Sequence, residues 1–201
     1  MQSVDSKILN KISKCGKGTI FFASDFATIG EMKAVHKALE RLTNNGKIIR
    51  LARGIYCYPK IDKVLGLGVL YPSFEEIAQC IAKRDKARIV PTGQYALNKL
   101  GFSTQIPMDI VYLTDGSSRK IEIANGRGIQ FKHTAPKNLA FKSELAMLIT
   151  FALKELTQER ITEEHLNRVK LLLQNEPKEK IMADFKLIPA WIRTIIMRTY
   201  E

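Results

Sequence analysis

The stretch MKAVHKALERLTNNGKIIRLARGIYCY, residues 32–58, changes its hydrophobic period halfway along. In its first half Met32, Val35, Leu39 and Leu42 recur at spacings of three, four and three, leaving Lys33, His36, Lys37, Glu40 and Arg41 elsewhere on the cylinder. That is the pattern of an amphipathic helix. Asn44, Asn45 and Gly46 then tolerate the left-handed backbone of a C-cap and end it. Two β-prone stretches follow, Lys47 to Leu51 and Ile55 to Tyr58, joined by Ala52, Arg53 and Gly54, and Pro59 stops the second. A connection that short with a glycine in it predicts a hairpin.

Upstream, Val4, Ile8 and Ile12 fall four apart and the period stops at Gly16 and Gly18, which predicts a first helix. Thr19 to Phe22 is a short β-prone run. Ser24 stands before Asp25, Phe26 and Ala27 as the expected N-cap of a short second helix that closes near Gly30. The order helix, strand, helix, helix, hairpin is the plan of a winged helix-turn-helix, whose third helix fits a major groove about 12 Å wide.

Charge agrees with that plan. The 201-residue chain has 32 Lys and Arg against 20 Asp and Glu, a formal net charge of +12, which favours polyanionic partners. Residues 1–60 hold eleven of the basic and four of the acidic side chains, whereas residues 141–201 hold ten and nine. Lys33, His36, Lys37 and Arg41 are the candidates for facing the groove, with Glu40 placed to accept from a cytosine amine. Lys47, Arg50 and Arg53 sit on or beside the hairpin, within reach of phosphates. The expected partner is double-stranded DNA.

Four quoted segments together resemble a known pattern: Ser24-Asp25-Phe26-Ala27, the run from Val35 to Leu42, Gly46-Lys47-Ile48, and Arg53-Gly54-Ile55-Tyr56-Cys57-Tyr58-Pro59. They resemble the AbiEi-type antitoxins, transcriptional autoregulators of abortive-infection type IV toxin-antitoxin pairs. The resemblance covers residues 3–60 well and the rest more loosely, although Pro91 to Gly101 fits a P-x-G-x-x-A-L-x-x-L-G stretch of similar proteins. It implies a winged-helix head that represses the shared promoter through inverted repeats. It also implies a following domain that neutralises a nucleotidyltransferase-like toxin protein.

The expected division is therefore a winged-helix domain over 1–60 and an α+β domain over 61–201 that meets the partner. Within the second, Ser73 is an N-cap for a helix from Phe74 to about Arg84, and Thr92 to Gly101 reads as a short helix. Ile110 to Leu113, Lys120 to Ala124 and Ile129 to Lys132 alternate as strands, with turn signals at Asp115-Gly116 and Asn125-Gly126. They predict a three-stranded meander, with Arg88 to Val90 as a fourth strand and helices on one face of a small antiparallel sheet. Helices are expected over Phe141 to Leu156, Thr162 to about Gln174, Lys178 to Phe185 and Ala190 to Arg198. Most of the cluster Ile188, Trp191, Ile192, Ile195 and Ile196 is expected in the core, the remainder serving a partner or dimer surface.

Little in the chain suggests catalysis, and the reading is non-enzymatic. Gly116-Ser117 resembles the glycine-serine start of nucleotidyltransferases, but the paired carboxylates that would clamp magnesium are missing and only Glu122 lies near. Gly126 and Gly128 flank Arg127 as a phosphate cradle would, yet glycines between strands more often make a hairpin or bulge. His36, His133 and His165 lack companions at ligand spacing, so neither a metal nor a cofactor is expected. Cys15, Cys57 and Cys80 are odd in number and no apolar run approaches the ~18 residues of a membrane span, which suits a cytoplasmic protein without a membrane partner. The competing reading is a winged-helix protein-interaction module without sequence-specific DNA binding.

Overall fold

Ser3 starts the first helix: its Oγ accepts from the Ser6 N–H at 3.2 Å, and α1 runs Val4–Ser13 with Ile8 and Ile12 buried. In this computed structural model residues 2–123 and 126–200 are described, and they form an α+β protein with eight α-helices and nine short strands among those residues. The chain divides into two compact units, Met1–Ile81 with Glu122–Gly126, and Ala82–Ile121 with Arg127–Glu201. Among the described residues no helix is long and apolar enough to cross a membrane.

In the first unit α1 is followed by β1 (Ile20–Phe22), α2 (Met32–Asn44), β2 (Ile49–Ala52) and β3 (Ile55–Cys57), with the antiparallel sheet ordered β1-β3-β2. The core gathers Ile8, Phe21, Phe26, Val35, Leu39 and Tyr56. Phe21 meets Phe26 edge-on at 5.4 Å and stacks on Tyr56 of the neighbouring strand at 5.9 Å, which ties the segment after β1 to the sheet with specific ring geometry.

The expected short second helix is a single 3₁₀ turn, Ala23–Phe26, and Ser24 lies inside it rather than capping it. The Asp25 carboxylate takes the tethering role by accepting from the Phe22 N–H at 2.7 Å. In α2 the buried stripe is Val35, Ala38, Leu39 and Leu42; Met32, in the first turn, is exposed. The β2–β3 hairpin closes with Ala52 opposite Ile55, so Arg53 and Gly54 form its tip. Gly54 has φ +76°, a conformation that a side chain would oppose.

A second hairpin follows, β4 (Lys60–Asp62) with β5 (Gly68–Leu70). Next comes α3 (Phe74–Asp85), begun by a capping box in which Glu76 accepts from the Ser73 N–H at 2.7 Å and its own N–H donates to Ser73 Oγ at 3.1 Å. Residues 61–81, expected with the second domain, cluster with this first unit. Glu76 and Cys80 lie near enough to Cys57 to bear on its thiol, which burial above all pushes up to about 11.

The second unit holds a four-stranded sheet ordered β6-β7-β9-β8, with β6 (Ile89–Pro91), β7 (Asp109–Thr114), β8 (Arg119–Glu122) and β9 (Gly128–His133). The expected meander is not formed. β7 and β9 are parallel, paired from Asp109 and Gly128 to Thr114 and His133, so the sheet is mixed. The reason is burial: β9 hides Ile129 and Phe131 and goes to the centre, whereas β8 reads Arg-Lys-Ile-Glu, has no fully buried residue and goes to the edge. The Asn125 turn and the end of the expected strand at Ala124 lie outside the described residues.

Around this sheet stand α4 (Gln94–Leu100), α5 (Glu144–Leu156), α6 (Glu163–Leu173), α7 (Lys178–Met182) and α8 (Ala190–Arg198). α5 starts at Glu144, not Phe141, because Ser143 Oγ accepts from the Ala146 N–H at 3.1 Å. Ala146 to Leu153 are all buried, as befits a helix apolar on every side. The helix expected over Lys178 to Phe185 breaks at Asp184 into α7 and a 3₁₀ turn, Phe185–Leu187. Of the terminal cluster, Ile188, Ile192 and Ile196 are buried, and Trp191 and Ile195 pack partly buried against the same core.

Candidate nucleic-acid interface

With successive residues about 100° apart around a helix, burying Val35, Ala38, Leu39 and Leu42 turns Lys33, His36, Lys37 and Glu40 to the opposite face of α2. All four are exposed. Lys33, His36 and Lys37 have no ion pair or side-chain hydrogen bond among the described residues. Asn44 extends the same face by one more turn and is exposed too. Sequence reasoning assigns Asn44 only to the cap; its spacing of four from Glu40 and seven from Lys37 is the signal that it also faces outward.

Arg41 departs from expectation. It stands on the flank of α2, and its Nη2 and Nε donate to Asp5 Oδ1 and Oδ2 of α1 at 2.6 and 3.0 Å. The hydrogen bond from Arg41 holds the Asp5 carboxyl below its ordinary titration range, and the same bond raises the guanidinium. This two-pronged geometry occupies the fork that a phosphate would otherwise receive. Arg41 therefore joins two helices of its own unit.

Lys47, Arg50 and Arg53 are exposed and, like the α2 lysines, unpaired among the described residues. Lys47 follows the end of α2, where its backbone N–H donates to the Leu42 carbonyl at 2.9 Å. Arg50 lies opposite Tyr56 on β2, and Arg53 stands at the hairpin tip beside Gly54. The structure thus brings Lys33, His36 and Lys37 onto one helical face, and Arg50 and Arg53 onto one hairpin.

Four acids of this unit behave differently, whereas Glu31 and Glu40 are exposed and unpaired among the described residues. Asp5 is taken by Arg41, Asp25 by the Phe22 N–H, Asp62 by the N–H groups of Val64 and Leu65 at 2.7 and 2.9 Å, and Glu76 by Ser73. Their charges are spent on tethering the chain locally, while Lys33, Lys37, Lys47, Arg50 and Arg53 extend into water. Unpaired ammonium and guanidinium groups on exposed elements are suited to phosphate, and a helix face of Lys, His, Glu and Asn is suited to base edges.

Elsewhere the residues singled out from sequence have structural work. Gly116 donates its N–H to Thr114 Oγ1 at 3.0 Å, and its carbonyl meets His133 Nδ1 at 3.0 Å. A Cβ on Gly128 would come within 2.9 Å of Asp109 Oδ1, so that glycine is required by close packing, and the Lys120 ammonium beside it is already paired with the Asp109 carboxylate at 2.6 Å. His165 Nδ1 accepts from the Thr162 N–H at 3.1 Å and caps α6. Among the described residues no three His, Cys, Asp or Glu side chains converge to hold a metal ion.

The fold is similar to one already solved. The crystal structure of the RV2827C protein from Mycobacterium tuberculosis aligns over 98% of this chain and 78% of its own length with a TM-score of 0.55. At 13% identity the likeness is one of fold alone. No curated protein matches the chain in sequence. A family model does, over residues 7–181, and the chain belongs to that family, the family of unknown function DUF6088.

Proposed function

We propose that the first unit is a winged helix-turn-helix head that binds duplex DNA, and that the protein is a transcriptional autoregulator and antitoxin of AbiEi type, paired with a nucleotidyltransferase-like toxin. The observation that supports this reading is the placement of charge: Lys33, Lys37, Arg50 and Arg53 are exposed and unpaired among the described residues, while Asp5, Asp25, Asp62 and Glu76 are bound to the chain itself. In this reading α2 enters the major groove and offers His36, Glu40 and Asn44 to base edges. The β2–β3 hairpin is the wing, setting Arg53 against a neighbouring phosphate. The family-like segments quoted from residues 24–59 add the expectation of a promoter with inverted repeats.

Fluorescence anisotropy of the full chain on a labelled promoter duplex, repeated across salt concentrations, tests the head. Replacing Lys33, Lys37, Arg50 and Arg53 together by alanine is expected to weaken binding and flatten the salt dependence by up to about 0.9 in logarithmic slope for each phosphate that is no longer neutralised. Unchanged affinity and slope would discard this surface. Co-expression with a nucleotidyltransferase-like toxin, sought in the adjacent reading frame, tests the antitoxin role, the expected result being restored growth. Growth arrest that this chain does not relieve would leave a DNA-binding regulator without antitoxin activity.

A further inference from the structure

β4 and β5 pair only with each other, in the register Lys60 with Leu70, Ile61 with Val69 and Asp62 with Gly68. No backbone hydrogen bond joins the outer edge of either strand to another segment among the described residues. A lone two-stranded hairpin is marginal in water, and an uncovered edge is a template for another chain. This hairpin is also apolar: Ile61 is 50% exposed, Val64 93%, Leu65 74% and Leu67 63%, with Val69 and Tyr71 exposed beside them. Six exposed large apolar side chains within residues 61–71 are the kind of surface that marks an interaction site.

We infer that β4 is the two-fold interface of a homodimer, in which its outer edge pairs antiparallel with β4 of a second copy and the axis passes through Ile61. The sequence of the strand selects this register. Antiparallel pairing centred on Ile61 sets Lys60 opposite Asp62 of the partner subunit, and symmetry repeats the pair. Centring on residue 60 would oppose two lysines, and centring on residue 62 two aspartates, both destabilising. Asp62 Oδ1 is occupied by the Val64 and Leu65 N–H groups, while Oδ2 has no bond among the described residues and is left for the ammonium. Ile61 shares a face with Val69, so the four-stranded sheet carries an apolar row, Val69 and Ile61 of each copy, across the axis. The outer edge of β5, Gly68-Val69-Leu70, has no charge with which to choose a register. The homodimer is independent of the DNA-binding proposal and is tested without DNA.

Sedimentation equilibrium of the full chain over a concentration series is expected to show a reversible dimer. Lys60→Glu breaks no hydrogen bond of the fold but brings a carboxylate towards Glu76, on which Lys60 acts electrostatically, so its melting temperature is measured beside that of the natural chain. It sets a carboxylate opposite Asp62 twice and is expected to weaken the dimer by roughly tenfold or more. Mixing it with an equal amount of Asp62→Asn protein, whose Oδ1 can still accept from the Val64 and Leu65 N–H groups, is expected to favour mixed dimers over Lys60→Glu homodimers. Asp62 of one copy then faces Lys60 of the other, and the introduced carboxylate at position 60 faces an uncharged amide. Ile61→Cys in a Cys15→Ser background is expected to form an interchain disulfide on mild oxidation, because a two-fold through residue 61 brings its two Cα atoms within the roughly 4.4–6.8 Å that a disulfide spans. A chain that sediments as a monomer at every concentration overturns the inference, as does a dimer that Lys60→Glu leaves intact. Protection of residues 60–71 from hydrogen exchange only when duplex is added would overturn it too, and would assign the patch to DNA.

Discussion

Asp5 and Arg41 lie 36 positions apart and meet with two hydrogen bonds, which removes one cation from the surface that sequence periodicity assigns to DNA. Periodicity reports which residues leave the core; it does not report whether a distant acid then captures them. Arg41→Ala should accordingly leave duplex affinity nearly unchanged where Lys37→Ala weakens it. Asp5→Asn, which loosens the fork, should raise affinity and steepen the salt dependence. Anisotropy titrations compare the three, and a loss in Arg41→Ala equal to that in Lys37→Ala would return Arg41 to the interface. The same pair gives a pH dependence. The hydrogen bond from Arg41 lowers Asp5 in the folded state, so its contribution is complete above the unfolded carboxylate value of about 3.9 and is lost as pH falls through the lower folded value. Melting temperatures measured down through this range should fall less steeply for Asp5→Asn than for the natural chain. The thiols differ in the same physical way: Cys15 is exposed, whereas burial pushes Cys57 up to about 11. A thiol reagent at mildly alkaline pH should modify Cys15 promptly and Cys57 only on unfolding, as peptide mapping would show.

Asp184 organises an element that it does not belong to. It is 1% exposed, and its carboxylate accepts from the backbone N–H of Lys142 at 3.0 Å and of Ser143 at 2.7 Å, just ahead of α5. Asp184→Ala would leave two donors at the entrance to the most buried helix of the second unit without an acceptor. The expected cost is about 3 kcal/mol, with Asp184→Asn costing less because its carbonyl still accepts, and denaturant titration of each variant measures both. Nothing in the sequence near 140 announces this contact, which is why periodicity alone starts α5 too early, at Phe141. Elements whose period is unbroken were legible: α1, α2 and α8 stand where Ile8, Leu39 and Ile192 repeat at helical spacing. The sheet of the second unit was legible as strands but not as an order, since placing β9 between β7 and β8 depends on how much of each strand the surrounding elements bury. β4 and β5 were not legible because strands of three residues separated by Gly66 read as a loop when no neighbouring strand is known. The candidate interface was legible as a helical face and a hairpin; the restraint on Arg41 and the outward place of Asn44 became visible only with neighbouring elements in view.

The two units have separate cores, one built on Phe26, Leu39 and Tyr56 and the other on Ile149, Leu153 and Ile192, with no residue in common. Their charge also differs, since residues 1–60 are strongly basic and residues 141–201 nearly balanced. Two units with separate cores need not share a folding transition, so damage to one should be readable apart from damage to the other. Leu39 and Ile192 are both fully buried, and truncating either to alanine opens a cavity that costs about 2–5 kcal/mol. Leu39→Ala should lower hydrogen-exchange protection across α1, α2 and β1 to β3 and abolish duplex binding, with α5 and α8 still protected. Ile192→Ala should do the reverse, preserving duplex affinity while the relief of toxin-arrested growth is lost. Exchange measured by mass spectrometry alongside anisotropy separates the cases. If Ile192→Ala weakened duplex binding as much as Leu39→Ala, the cores would be one cooperative structure, and occupancy of the second unit would be coupled by linkage to operator affinity.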